Sequence, residues 1–156
     1  MIRPIVFGAL LCLPAALASA QSPPSEDRQS VLAAVDALFA AMLARDGAAV
    51  TQLVELQGVV TAISPNADGG SRIATMSWAD FAARLPQAPG PIRERIFDPE
   101  VRIRGDLAMV WSRYDLSVGA TFSHCGTDLF ELVRRDGRWR LLHASYTRET
   151  TGCEAR

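Results

Sequence analysis

Between Val31 and Leu43 apolar side chains recur at the spacing of one helical face. Val31, Leu32, Val35, Leu38, Phe39, Met42 and Leu43 follow the i, i+1, i+4, i+7, i+8 pattern. Ser25 precedes the stripe as a suitable N-cap, and Glu26 and Asp27 put negative charge at the positive end of the helix dipole. A helix is therefore predicted from Ser25 to about Arg45, with Gly47 as a left-handed cap and a second, shorter helix over 48–53. Beyond it the period drops to about two. A strand is predicted over 57–64, a loop over 65–70, and a short helix over 78–85 capped by Ser77 and closed by the proline-rich segment 86–91. Four strands follow, over 92–103, 107–118, 121–135 and 138–148, separated by Gly105, Gly119 and the two-residue hairpin turn Asp136-Gly137. This order makes an α+β layer pair, a curved antiparallel sheet covered on one face by a long N-terminal helix and two short ones.

The Asp136-Gly137 turn fixes a register for the last hairpin. It sets Leu132 against Leu141, Phe130 against His143 and Asp128 against Ser145, with His124 near Glu149. Alternation along a strand gathers these side chains on one face, apolar at the Leu132, Leu141 and Trp139 end and polar at the other. On the preceding strand Ala108, Val110, Ser112 and Tyr114 are expected to point the same way. The opposite face would carry Glu131 and Arg140 with an apolar patch of Met109, Trp111, Leu129, Leu142 and Tyr146, the kind of surface that joins subunits. A homodimer is expected on that ground. Tyr114, His124, Asp128, Phe130, His143 and Ser145 are the candidate ligand-binding residues. Asp128 is a candidate base whose pKa a dry cavity would raise.

Composition narrows the function. Residues 5–17 form an apolar run after Arg3, and Ala18-Ser19-Ala20 supplies the small-x-small pattern of a signal peptidase site. Residues 1–20 are read as a signal peptide cleaved after Ala20, residues 21–156 as one domain, and the protein as periplasmic or secreted. The run is shorter than the roughly 20 residues of a membrane span, and no membrane association is expected after cleavage. Every basic residue is arginine, and the 16 Lys plus Arg against 17 Asp plus Glu make no basic stripe, so nucleic acid is not an expected partner. Cys12 leaves with the signal, and Cys125 and Cys153 remain as an even pair suited to a disulfide. The histidines and scattered carboxylates lack metal-ligand spacing. There is no phosphate loop, serine elbow or Cys–His nucleophile pair. No metal or cofactor is expected.

The element order, and above all the stretch His124-Cys125-Gly126-Thr127-Asp128-Leu129-Phe130-Glu131-Leu132-Val133 with its Asp136-Gly137-Arg138-Trp139 ending, resembles the nuclear transport factor 2-like superfamily, which includes ketosteroid isomerase and polyketide cyclases. The last hairpin is similar to that of exported bacterial members, some described as lumazine-binding. The resemblance implies a cone of helices on a strongly bent sheet with a pocket at one end. It carries no activity across, because the first helix has no tyrosine and only Glu55 stands where a base would enter the first strand. Glu55 joins Asp128 as a candidate catalytic residue. Three functions are open at this point: an exported domain binding a small hydrophobic or mixed-polarity ligand; an isomerase, cyclase or dehydratase in which Asp128 or Glu55 abstracts a proton; and an interaction module with a filled cavity.

Overall fold

The structure, a computed structural model, describes residues 25–153, with side chains from Glu26 onward. The expected signal peptide, the 21–24 linker and the Ser25 side-chain cap lie outside the described residues. Helices α1 (Ser25–Ala44) and α2 (Gly47–Leu53) precede strands β1 (Val59–Pro65) and β2 (Ser71–Ser77). Helix α3 (Trp78–Arg84) and a 3-10 turn (Leu85–Gln87) lead into β3 (Ile92–Arg104), β4 (Leu107–Val118), β5 (Thr121–Arg135) and β6 (Arg138–Thr147). The six strands form one curved sheet in the order β2-β1-β6-β5-β4-β3.

Two features depart from the sequence reading. Strand β2 occupies the segment between the expected loop and α3, for which no element is predicted. It is an edge strand, with its first five residues exposed, so burial imposes no apolar alternation on Ser71-Arg72-Ile73-Ala74-Thr75. The sheet is also mixed, because β1 runs parallel to β6 while every other pair is antiparallel. At the end of α1 it is Arg45, with φ 56°, that takes the left-handed conformation. Gly47 starts α2 instead, so close to α3 that a Cβ would lie 2.2 Å from the Ala82 carbonyl oxygen. Asp46 caps α2 by accepting the Ala49 N–H at 2.9 Å.

Helix α1 covers the concave face of the sheet with the expected stripe. Val31, Val35, Leu38, Phe39 and Met42 are buried, while Leu43 at the stripe's edge is exposed. Phe39 meets Phe130 edge-on at 5.8 Å between ring centroids, and Arg134 ties the other side of α1 to β5 through Asp27 at 2.9 Å. Strand β3 bends at a bulge between Phe97 and Glu100, where Asp98 adopts φ 52°. Ser112 on β4 stitches that bend, accepting the Phe97 N–H at 3.1 Å and contacting the Phe97 carbonyl at 2.7 Å. The bend and the right-handed twist turn the far half of β3 toward α1, closing the sheet into a cone. Cys125 and Cys153 form a disulfide, and Cys125 also exchanges two backbone hydrogen bonds with Glu149. The segment after β6 is thereby fastened along β5.

Candidate functional site

The register of the β5–β6 hairpin changes midway, and that change decides which side chains enter the cone. The turn itself has positive φ at both Asp136 and Gly137, and Leu132 pairs with Leu141 as it requires. Beyond that point Glu131 pairs with His143, Phe130 with Ala144 and Asp128 with Tyr146, leaving Leu142 as the extra residue of a bulge. Two neighbours hold the bulge. The Trp78 indole N–H donates to the Leu142 carbonyl at 2.8 Å, and Gly58 lies so near that a Cβ would fall 1.6 Å from the same oxygen.

One inserted residue moves all that follows it to the other face. The expectation that His143 and Ser145 stand beside Asp128 is therefore corrected: they pair with Glu131 and Leu129 on the convex side. His143 serves the backbone there, its Nδ1 accepting the Val59 N–H at 3.1 Å at the start of β1. His143→Ala is expected to lower stability by about 1 kcal/mol, the net worth of such a bond, and to leave ligand affinity unchanged; paired urea titrations and calorimetry check both. Tyr146 and Ala144, both on the outer side in the unbroken register, face the cone. Glu55 is also displaced from the site. It accepts from Arg140 Nε at 2.8 Å, and Arg140 donates in turn to the Gln52 carbonyl at 2.7 Å. Glu55 thus joins β6 to the end of α2 and does not reach the cavity.

The other candidates converge. Tyr114, His124, Asp128 and Phe130 are all buried on the concave face. Pairing sets Tyr114 against Gly126 and Ser112 against Asp128. The residue that the sequence reading missed is Glu94, on β3. It lines the cavity together with Asp128, and the two carboxyl groups lie within hydrogen-bond reach of each other. A signal for it is present: in Ile92-Arg93-Glu94-Arg95-Ile96 the acidic residue falls in the phase of the isoleucines, while both arginines alternate outward.

Electrostatics single out this pair. Asp128 Oδ2 is buried with no N–H or hydroxyl donor beside it. Burial first, then the charge of Glu94, pushes the Asp128 carboxyl up to about 10. Burial likewise raises Glu94, to about 7, partly opposed by its hydrogen bond with Asp128. Two carboxyls can bond to each other only with a proton between them. At neutral pH the pair holds that proton and carries no more than one negative charge. The His124 ring is held neutral, its pKa lowered to about 4 by burial and by the charge of Arg148. His124 Nδ1 bonds Ser123 Oγ at 2.9 Å, and its buried Nε2 has no partner. The Tyr114 hydroxyl donates to the Thr147 carbonyl at 2.8 Å, so its proton is already committed to the backbone.

The space beside these groups has two adjoining parts. A narrow inner cavity of about 40 Å³ lies against Leu38, Trp78, Asp128, Phe130 and Ala144. A wider outer one of about 230 Å³ is bounded by Ile92, Leu116, Ser123, His124 and Arg148. Met42, Phe81, Glu94 and Tyr146 belong to both walls. Glu94 thus stands at the junction with Asp128 behind it. Among the described residues no group of three or more His, Cys, Asp or Glu side chains converges to hold a metal. The arrangement offers one carboxyl hydrogen-bond donor, one carboxylate acceptor and an apolar wall.

Similarity to solved structures agrees with this cone. A cystatin-like-fold protein of unknown function from Nostoc punctiforme superimposes with a TM-score of 0.65 at 9% identity, over 84% of this chain and 97% of that one. An NTF2-like protein from Cytophaga hutchinsonii gives 0.63 at 19% identity, over 78% and 97%. An NTF2-like family protein from Streptomyces avermitilis, provisionally assigned as a dehydratase, gives 0.64 at 17% identity, over 80% and 97%. No curated protein matches the sequence significantly. The sequence model of the SnoaL-like domain matches residues 31–148, from the first buried turn of α1 to the arginine at the cavity mouth. With that match spanning most of the chain, and the nuclear transport factor 2-like cone formed around it, the protein belongs to the SnoaL-like domain family.

Proposed function

We propose that the protein binds a compact, largely apolar small molecule in the cone and holds it by a hydroxyl or carbonyl against the Glu94–Asp128 pair. The carrying observation is the placement of that pair where the two cavities meet. Burying two carboxyls costs several kcal/mol unless something compensates, and their position on the wall gives a ligand's polar group both a donor and an acceptor. Pockets with apolar walls and a few convergent polar groups are the common form of small-molecule sites.

Leu116→Trp tests this reading by filling the outer cavity from a half-buried position while leaving the pair intact. Native mass spectrometry of protein recovered from its own host is expected to show a bound small molecule on the wild type and none on the variant. Equal ligand occupancy on both would refute it. The same spectrum reports subunit number. We also propose a homodimer formed through the convex face, where Trp111 is 49% exposed beside the half-buried Met109 and Leu129. Export with cleavage after Ala20 belongs to the same proposal, supported by the Cys125–Cys153 disulfide.

A second reading, proton transfer to or from the ligand, is favoured by the proton shared between Glu94 and Asp128. Glu94 would take a proton next to a carbonyl while protonated Asp128 steadies the developing oxyanion, the chemistry of an isomerase, cyclase or dehydratase. Deuterium exchange into the bound ligand in D₂O separates the two readings. Exchange lost in Glu94→Gln supports catalysis, and its absence from the wild type leaves a binding protein.

A further inference from the structure

We infer that the ligand is an organic anion about one ring in size, with a hydroxyl or carbonyl at its inner end for the Glu94–Asp128 pair and a carboxylate at its outer end for Arg148. The inference rests on the proposal that the cone binds a small molecule and adds the chemical class of that molecule.

Arg148 is the cation on the wall of the outer cavity. Its backbone N–H is used by the Ile63 carbonyl at 2.8 Å, but its guanidinium forms no ion pair with any carboxylate among the described residues. Arg95, Arg102, Arg134 and Arg140 are paired, with Asp115, Glu100, Asp27 and Glu55. Arg72, Arg93, Arg104 and Arg138, like Arg148, have no ion pair among the described residues, but of these five only Arg148 lines the cavity that holds Glu94. A guanidinium offers five donors in a fork that fits a carboxylate. Here that fork, on an exposed side chain, borders the open mouth of the outer cavity with no carboxylate of the described residues paired to it.

Spacing supports a two-ended ligand. Arg148 follows Tyr146 by two residues, and Tyr146 pairs with Asp128. The level of Arg148 is therefore roughly 7 Å along the sheet from that of Asp128, on the same face. A six-membered ring with a short arm covers such a separation. Volume points the same way, since a cavity of about 150 Å³ takes benzene and the outer cavity here is about 230 Å³. Orientation follows from charge. The inner pair carries up to one negative charge and repels a carboxylate, whereas the field of Arg148 reaches into the cavity far enough to disfavour protonation of His124. Buried His124 Nε2, lacking a partner, belongs to a residue on the wall of the same outer cavity, and its ring stays neutral at neutral pH.

The test uses 3-(4-hydroxyphenyl)propionate and its primary amide, which match in size and differ in charge. Calorimetry on the full wild-type protein is expected to give affinity for the acid about tenfold above that for the amide, the order expected of a charge-assisted bond. Arg148→Gln is expected to remove that preference without weakening the amide, and Arg148→Lys to retain part of it. Equal affinity of the wild type for both compounds, unchanged in Arg148→Gln, overturns the anion inference and leaves the small-molecule reading standing. Failure of the wild type to bind either compound overturns the small-molecule reading itself.

Discussion

Asparagine in place of Asp128 is expected to abolish a loss of stability that the wild-type protein suffers between pH 7 and pH 9. Burial and Glu94 raise the folded-state pKa of Asp128 to about 10 from an ordinary 3.8, so the folded protein holds a proton that the unfolded chain releases. A carboxyl raised in this way stabilises the fold least above its folded value; between the two values, each step up in pH costs the folded state, which alone keeps the proton. The slope for one proton reaches about 1.4 kcal/mol per pH unit, hence up to roughly 3 kcal/mol over this window. That is a large share of a typical domain stability of about 5–15 kcal/mol. The window isolates the pair: His124 is neutral throughout, Tyr114 and Tyr146 are raised above their usual range, and Glu94 is raised only to about 7. The asparagine amide keeps an N–H donor toward Glu94 and cannot ionise. Urea midpoints at pH 7 and pH 9 are expected to diverge for wild type and coincide for Asp128→Asn. Parallel loss in both proteins would mean that Asp128 is solvated, and the shared-proton account of the site would fall.

Where the sequence alone is sufficient, periodicity has burial behind it. The stripe from Val31 to Met42 and the alternation of Ala108, Val110, Ser112 and Tyr114 survive because each inward position displaces water. Strand β2 has no such constraint at the sheet edge, and its polar run carries no strand signal. The site depends on a subtler one. Trp139 and Leu141 keep one phase, Leu142 breaks it, and Ala144 and Tyr146 resume it one residue later. That doubled leucine marks the bulge, and ideal alternation carried past it puts His143 and Ser145 in the cone and Tyr146 outside. Asp128 and His124 are legible because both lie on β5, whose inward alternation runs unbroken from His124 to Leu132. Glu94 comes from the far edge of the sheet, and its approach to Asp128 depends on the bend at Asp98. A local pattern does not encode that curvature, although the phase of Glu94 between Ile92 and Ile96 does show in the sequence.

Breaking the disulfide should produce the other large effect. The Cys125–Cys153 bridge spans 28 residues of sequence. The loop-closure entropy it removes from the unfolded chain corresponds to about 3.5 kcal/mol, a drop of roughly 10 °C in Tm for a domain of this size. Cys153→Ser in oxidised protein is expected to show that drop, and wild type treated with a reductant is expected to match it. The intact protein should gain two hydrogens in mass on reduction. Unchanged thermal unfolding of Cys153→Ser would show that the bridge contributes nothing to the fold. The consequence extends to the site, because Cys125 lies between His124 and Gly126 at the start of the inner-face run, and its two backbone bonds to Glu149 close the sheet beside Arg148. Releasing the tail frees the strand that aims His124 and the arginine that guards the mouth. Ligand affinity should therefore fall along with stability, and a protein held together in this way retains its full site only where its cysteines stay oxidised.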